Sequence, residues 1–266
     1  MTLSEKFKKY FKIWQIMTVA SFSVSLISRF GAFFFFIAKI FRFIFFLIFL
    51  FLLIGKTKIL GDYSLWQVIF FFLTFNLVDM TSQFFLREVY RFRSMVVSGN
   101  FDLVLVKPLS PLFRVVAGGA DILDLFTLLP LLAFLVFAST QIGGVTLVKI
   151  AMYLLLYFNA LLIALSFHIL VVSIGVLTTE VDNTIMLYRD LTNMGRIPVD
   201  IYRQPLRAFL TFAVPVGIMM TFPAKVFMGL LSPFGVFISL SLGLLLFYAS
   251  LQFWQFSLRH YSSASS

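Results

Sequence analysis

Asp121 and Asp124 form a DxxD pair, a spacing that could hold Mg²⁺ and a diphosphate between two carboxylates. Such sites need a second acidic cluster, and Asp79, Asp102, Glu180 and Asp182 are scattered along the chain. Gly55-Lys56-Thr57 resembles the end of a nucleotide-binding loop, but the glycine required five residues earlier is Leu50. His168 and His260 stand alone, and the chain has no cysteine, so neither histidine has a partner at metal-ligand spacing. A single histidine inside an apolar stretch reads as an interhelical hydrogen-bonding group. Lys39 with Arg42, and Asp121 with Asp124, are each three residues apart and so share a helical face. Opposite charges on two such faces form either a structural ion pair or a polar path, which would also include Asp79. Three chemistries stay open on these residues: a transport pathway, a proton relay in a secondary transporter, and a membrane enzyme acting on a lipid diphosphate.

The elements that position them must lie in a bilayer. Of 266 residues, 61% are hydrophobic and 12% charged, 37 are phenylalanine, and the mean hydropathy is +1.02. Ordinary soluble domains carry about twice that charge, so a soluble fold, a disulfide scaffold or a disordered chain is excluded. Apolar runs long enough for a hydrocarbon core of about 30 Å predict six helices, at 31–54, 63–86, 112–138, 146–177, 207–223 and 234–255. The fifth is interrupted by Pro215 and Pro223, and the residues after it predict a re-entrant hairpin.

The formal charge of +10 follows from topology. With the N-terminus inside, Lys6, Lys8, Lys9, Lys12, Arg29, Arg87, Arg91, Arg93, Lys107, Arg114, Arg189, Arg196, Arg203, Arg207 and Arg259 fall on the inner side. Lys56, Lys58, Lys149 and Lys225 fall outside. Basic residues against an anionic leaflet require no nucleic acid. In residues 1–17, Leu3, Phe7, Tyr10, Phe11 and Trp14 recur at helical steps between lysines, and Thr2 with Glu5 has capping-box spacing. This pattern predicts an amphipathic helix lying along the inner membrane surface rather than a secretory signal. Residues 262–266 predict a frayed polar tail, and the whole chain, 1–266, reads as a single all-α transmembrane domain.

The segment 87–111 is organised beyond what an ordinary basic loop needs. Met95-Val96-Val97 and Leu103 to Val106 are apolar stretches outside the predicted membrane, separated by the turn signal Gly99-Asn100 and closed by Pro108 and Pro111. The run Arg91 to Val97, then Gly99-Asn100-Phe101-Asp102 and Leu105-Val106-Lys107-Pro108-Leu109-Ser110, resembles the coupling segment of type-2 ATP-binding-cassette (ABC) exporter permeases. It is most similar to half-size, six-span permeases whose ATPase is a separate polypeptide. Gly195-Arg196-Ile197-Pro198-Val199-Asp200-Ile201-Tyr202, Arg207, Val214-Pro215, Phe222-Pro223-Ala224 and Gly229 extend the resemblance over nearly the whole chain.

The resemblance implies a non-enzymatic permease with both termini cytoplasmic in a bacterial inner membrane. It pairs with a second permease, identical or not, and is driven by a nucleotide-binding subunit that carries the ATP and Mg²⁺. No cofactor is implied in this chain. The resemblance places a coupling helix between spans two and three, with Arg91, Arg93, Met95, Val97, Gly99 and Asp102 at the ATPase and Lys107 with Pro108 fixing the return. The extracellular hairpin would be Thr221 to Leu231. Lys39 and Arg42 do not belong to the family pattern.

Overall fold

The computed structural model describes residues 3–27, 29–57, 63–120 and 122–262. Asp121, Thr2 and the tail beyond Ser262 lie outside the described residues, as does the side chain of Arg42. Among the described residues every element longer than a turn is helical. In chain order these are α1 (Leu3–Ile27), α2 (Arg29–Thr57), α3 (Leu65–Leu86), α4 (Phe92–Val97), α5 (Asn100–Leu105), α6 (Pro111–Val116), α7 (Ile122–Ile142), α8 (Leu147–Thr178), α9 (Val181–Asn193), α10 (Leu206–Ala208), α11 (Phe222–Phe227) and α12 (Pro233–Arg259).

Polar caps set where the long helices begin. Ser64 and Gln67 form a reciprocal capping box on α3, Thr146 accepts from the Lys149 amide on α8, and Ser232 caps α12 with Pro233 at its first position. Four helical stretches are long and apolar enough to cross a membrane: Leu65–Val97, Asp124–Ile142, Leu147–Thr178 and Pro233–Arg259. Phe33, Phe41 and Phe45 on α2, Leu129 and Val136 on α7 and Leu244 and Leu245 on α12 face outward, as bilayer-immersed helices require.

α8 is the central helix and packs most extensively against α12. The contact face of α12 is made of small residues, Ser239, Gly243, Ser250 and Ser257, with Val236 and Trp254. Small residues let two helix backbones approach where no hydrophobic effect drives them together. Asn159 uses that approach, donating to the Ser239 carbonyl (2.9 Å) and hydroxyl (3.1 Å). A Cβ at Gly243 would overlap the Asn159 amide. Gly243→Val is therefore expected to cost about 1–3 kcal/mol by overpacking and loss of those bonds, read as a lower Tm of the detergent-purified protein; an unchanged Tm would contradict the packing.

The third and fifth spans differ from expectation. Residues 112–116 belong to a separate short helix, α6, capped by Ser110, and the third membrane helix starts at Ile122. The break falls at Gly118-Gly119, where a Cβ would overlap Glu88 and the α1 residues Met17 and Ser21 respectively. The crossing chain must therefore stop to let α1 and the end of α3 close in. α1 is also longer than the 17 residues expected, reaching Ile27, and Thr18 accepts from the Ala120 amide (3.3 Å).

Residues 207–223 do not run from one end of the bundle to the other. Arg207 and Lys225 both bind the Asp200 carboxylate, so the segment between them starts and finishes at one end. Its two arms, Leu206–Ala213 and Gly217–Phe227, are bent by 82° around Val214-Pro215 and contain two π-helical turns. Proline removes a backbone donor and clashes with the preceding turn, which explains the fold-back. The bend thus falls within 206–227, whereas the sequence predicts a straight span at 207–223 and a hairpin at Thr221 to Leu231.

The chain instead passes along α3 between Val181 and Ile201. Val181 packs with Phe92 at Gly175, Arg189 lies 5.9 Å from the Tyr90 ring, Arg196 lies 5.8 Å from the Phe75 ring, and Asp200 accepts from the Tyr63 hydroxyl at 2.7 Å. These contacts march from the Phe92 end of α3 to its Tyr63 end. The 13 helical residues of α9 rise about 20 Å, and the 3₁₀ turns at Met194–Arg196 and Val199–Ile201 supply the rest. Arg203 and Arg207 consequently sit at the Tyr63 end with Lys225, and Arg196 lies within the bundle, so these three arginines lie apart from Arg91, Arg93 and Lys107 at the other end.

Candidate functional site

A cavity of about 410 Å³ lies between α2, α3, α7 and the 181–201 segment. Lys39, Asp79 and Asp124, three of the five residues proposed from sequence for a polar path, line it. The Asp124 side chain is 1% exposed and binds Lys39 of α2 together with Arg87 (3.1 Å) from the 3₁₀ turn that follows α3. One buried carboxylate therefore ties three elements, and the expected pairing of the Lys39 face with the Asp124 face is present. Asp79 accepts from Gln83 at 2.8 Å.

Arg87, Arg189 and Arg196 also line this cavity and were assigned from sequence only to topology. Arg189 and Arg196 are seven residues apart, which places them on one face of a helical segment, and that spacing was the available signal. His168 does not bridge helices: its Nδ1 bonds the Ala164 carbonyl of its own helix (2.7 Å), and Tyr188 packs edge-on against the ring.

At the opposite pole from Tyr63, α4 and α5 form a tight hairpin. Its turn is Ser98-Gly99, with Gly99 at φ +71°, a left-handed conformation that glycine adopts without penalty. Phe92, Val96, Phe101 and Val104 point inward, and Phe101 packs against Trp254 and Tyr261 at the end of α12. Val97, Leu103 and Val106 point outward, Val106 with 81% of its surface exposed.

The residues singled out for docking divide accordingly. Arg91 and Arg93 are exposed and pair with Glu88 (3.6 Å) and Asp182 (3.4 Å). Val97, Lys107 and Pro108 are exposed, with the Pro108 carbonyl near the Lys9 amine (3.4 Å). Met95 packs inward against the core, and Asp102 accepts from the Tyr261 hydroxyl (2.9 Å), so both brace the hairpin against the bundle. Sequence reasoning missed Leu103 and Val106 as individual contact residues, because an apolar stretch does not show which of its members face out.

Beneath the hairpin, Glu88 is buried and bonded to Arg114 of α6 at 2.6 Å. The Tyr10 hydroxyl of α1 accepts from the Ser110 amide (3.1 Å). The hairpin, α6 and α1 are thereby joined, and Phe92 packs at Gly175 where α9 begins.

Residues 39–265 match the family described as "ABC-2 family transporter protein". The chain belongs to this family. It is an ABC-2 permease, a multi-pass membrane protein of an ABC transporter. No curated protein and no solved structure matches it. In ABC-2 permeases generally a partner ATPase supplies the energy, which makes the exposed apolar ridge of the α4–α5 hairpin the candidate contact and the charged cavity of this ABC-2 chain the candidate path. Among the described residues no three His, Asp or Glu side chains gather to hold a metal.

Proposed function

We propose that this chain is one half of an exporter whose motor is a separate nucleotide-binding subunit docked on the α4–α5 hairpin. The observation that carries the reading is the two-faced hairpin: Phe92, Val96, Phe101 and Val104 anchor it, while Val97, Leu103 and Val106 remain exposed beside Arg91, Arg93 and Lys107. Exposed apolar surface rimmed by charge is what a partner protein buries.

In this reading the chain crosses the bilayer six times, through α2, α3, α7, α8, the 181–201 segment and α12. The hairpin and both termini face the cytoplasm, and the Tyr63 end faces out. Lys6, Lys8, Lys9, Lys12, Arg91, Arg93 and Lys107 on the hairpin side support that orientation. α1 lies along the inner surface and is clamped to 108–120, so a movement of the hairpin reaches both α1 and α9. A second permease copy, identical or related, completes the pathway. Chemistry stays on the ATPase, which holds ATP and Mg²⁺, and this chain has no catalytic role.

The test is assembly. The purified chain should show no ATPase activity alone and should couple transport to hydrolysis with its ATPase subunit. Val106→Asp places a charge in the apolar contact and is expected to weaken the ATPase complex at least about tenfold, equivalent to roughly 1.4 kcal/mol. Fold, followed by Tm, should be unchanged because the side chain touches solvent. Unaltered affinity and hydrolysis would sink the docking assignment.

A further inference from the structure

We infer that the cavity between α2, α3 and the 181–201 segment binds an amphipathic anion, a phosphate or carboxylate headgroup carrying an apolar body. Among the described residues Lys39, Arg87, Arg189 and Arg196 line it against two carboxylates, Asp79 and Asp124, an excess of two positive charges. Asp124 is already engaged by Lys39 and Arg87. Arg189, exposed at the rim, rests on the Tyr90 ring and meets no carboxylate among the described residues.

A lining in which cations outnumber carboxylates attracts an anion, and more strongly where water is scarce. A guanidinium 5.9 Å from an aromatic ring is held by cation–π attraction, and its forked N–H donors match planar or tetrahedral oxyanions. Ala38, Phe43, Phe72 and Met80 supply apolar lining beside the polar Asn76 and Gln83, which suits a hydrocarbon or ring portion next to a charged group rather than a fully hydrated ion. The volume of about 410 Å³ is that of a small-ligand pocket, enough for a headgroup and the first part of an apolar body. The site thus selects by charge sign and by apolarity together.

This assignment rests on the permease reading only for its purpose, since a bound anion there would be cargo. Binding itself is testable on the purified chain in a neutral detergent, without any ATPase. Dioctanoyl phosphatidic acid represents a lipid source and octyl phosphate a water-borne one; dioctanoyl phosphatidylcholine and dodecyltrimethylammonium control for charge. Both anionic amphiphiles should raise the Tm in a saturable manner, the tighter of the two giving the source, while the zwitterion and the cation should not. Arg189→Gln, at an exposed position that tolerates substitution, should weaken binding about tenfold; Arg189→Lys should retain most of it, and Lys149→Gln, outside the cavity, should change nothing.

Equal responses to the zwitterion and the anions, or an Arg189→Gln protein that binds like the native chain, would overturn the proposal. Equal protection by inorganic phosphate would overturn its apolar half. A chain that binds the anions but never couples to an ATPase would refute the permease mechanism alone, whereas an ATP-driven complex indifferent to them would refute only this inference.

Discussion

Exchange of Asp124 for alanine is expected to destabilise the protein by about 3 kcal/mol, the low end of what removing one partner of a buried ion pair costs. The carboxylate is 1% exposed, whereas Lys39 and Arg87 keep 21% and 29% of their side-chain surface. Partial access to water softens the penalty of stranding two cations but does not remove it. Because Asp124 lies at the start of α7 and its partners on α2 and after α3, the loss should also loosen those three elements together. Lys39→Met is the informative companion. It leaves Arg87 on the same carboxylate and should cost clearly less. Tm values of the detergent-purified variants, with the yield of monodisperse protein, check both; an Asp124→Ala protein as stable as the native one would show that the pair is not structural.

Asp200→Ala is expected to release the 206–227 segment at the Tyr63 end of the bundle. Asp200 binds Tyr63 ahead of α3, Arg207 at the start of the re-entrant hairpin and Lys225 near its finish, so four chain segments meet on one half-buried side chain. Each charge-assisted bond contributes about 1.5–3 kcal/mol before solvent screening. With Arg207 still 44% exposed, a net loss of about 2 kcal/mol is expected. The effect should be local: amide hydrogen exchange should rise in 206–227 and leave the α4–α5 hairpin unchanged. Tyr63→Phe removes only one neutral donor and should reproduce a fraction of it. Uniform acceleration over the whole chain, or none, would contradict a clasp confined to this end.

These two carboxylates also show how far the sequence could be read. The pairing of the Lys39 and Asp124 faces is one of two readings that i,i+3 spacing and the cost of charge in lipid leave open, and the structure contains it. The role of Asp200 did not follow, because the reading placed residues 196–207 in an inner loop and Lys225 outside. Hydropathy treats every crossing residue as though it met lipid. Val181 to Ile201 runs along α3 against other helices, so Asp182, Arg189, Arg196 and Asp200 find partners within the protein and need no apolar neighbours. The proline-broken 206–227 stretch, more apolar, drew the span assignment, and the structure bends it by 82°.

The sequence by itself determined the solvent, the helical class, the family and the presence of an ordered segment between the second and third membrane helices. These depend on composition, on the length of apolar runs and on short motifs, all of which are local along the chain. Tertiary structure alone decided that 206–227 is bent while 181–201 runs along α3, that Met95 and Asp102 brace the hairpin while Leu103 and Val106 remain exposed, and that Arg87, Arg189 and Arg196 converge on one cavity. The reason is physical: a charge's cost and meaning are set by the groups that surround it, and those groups come from parts of the chain that spacing cannot bring together.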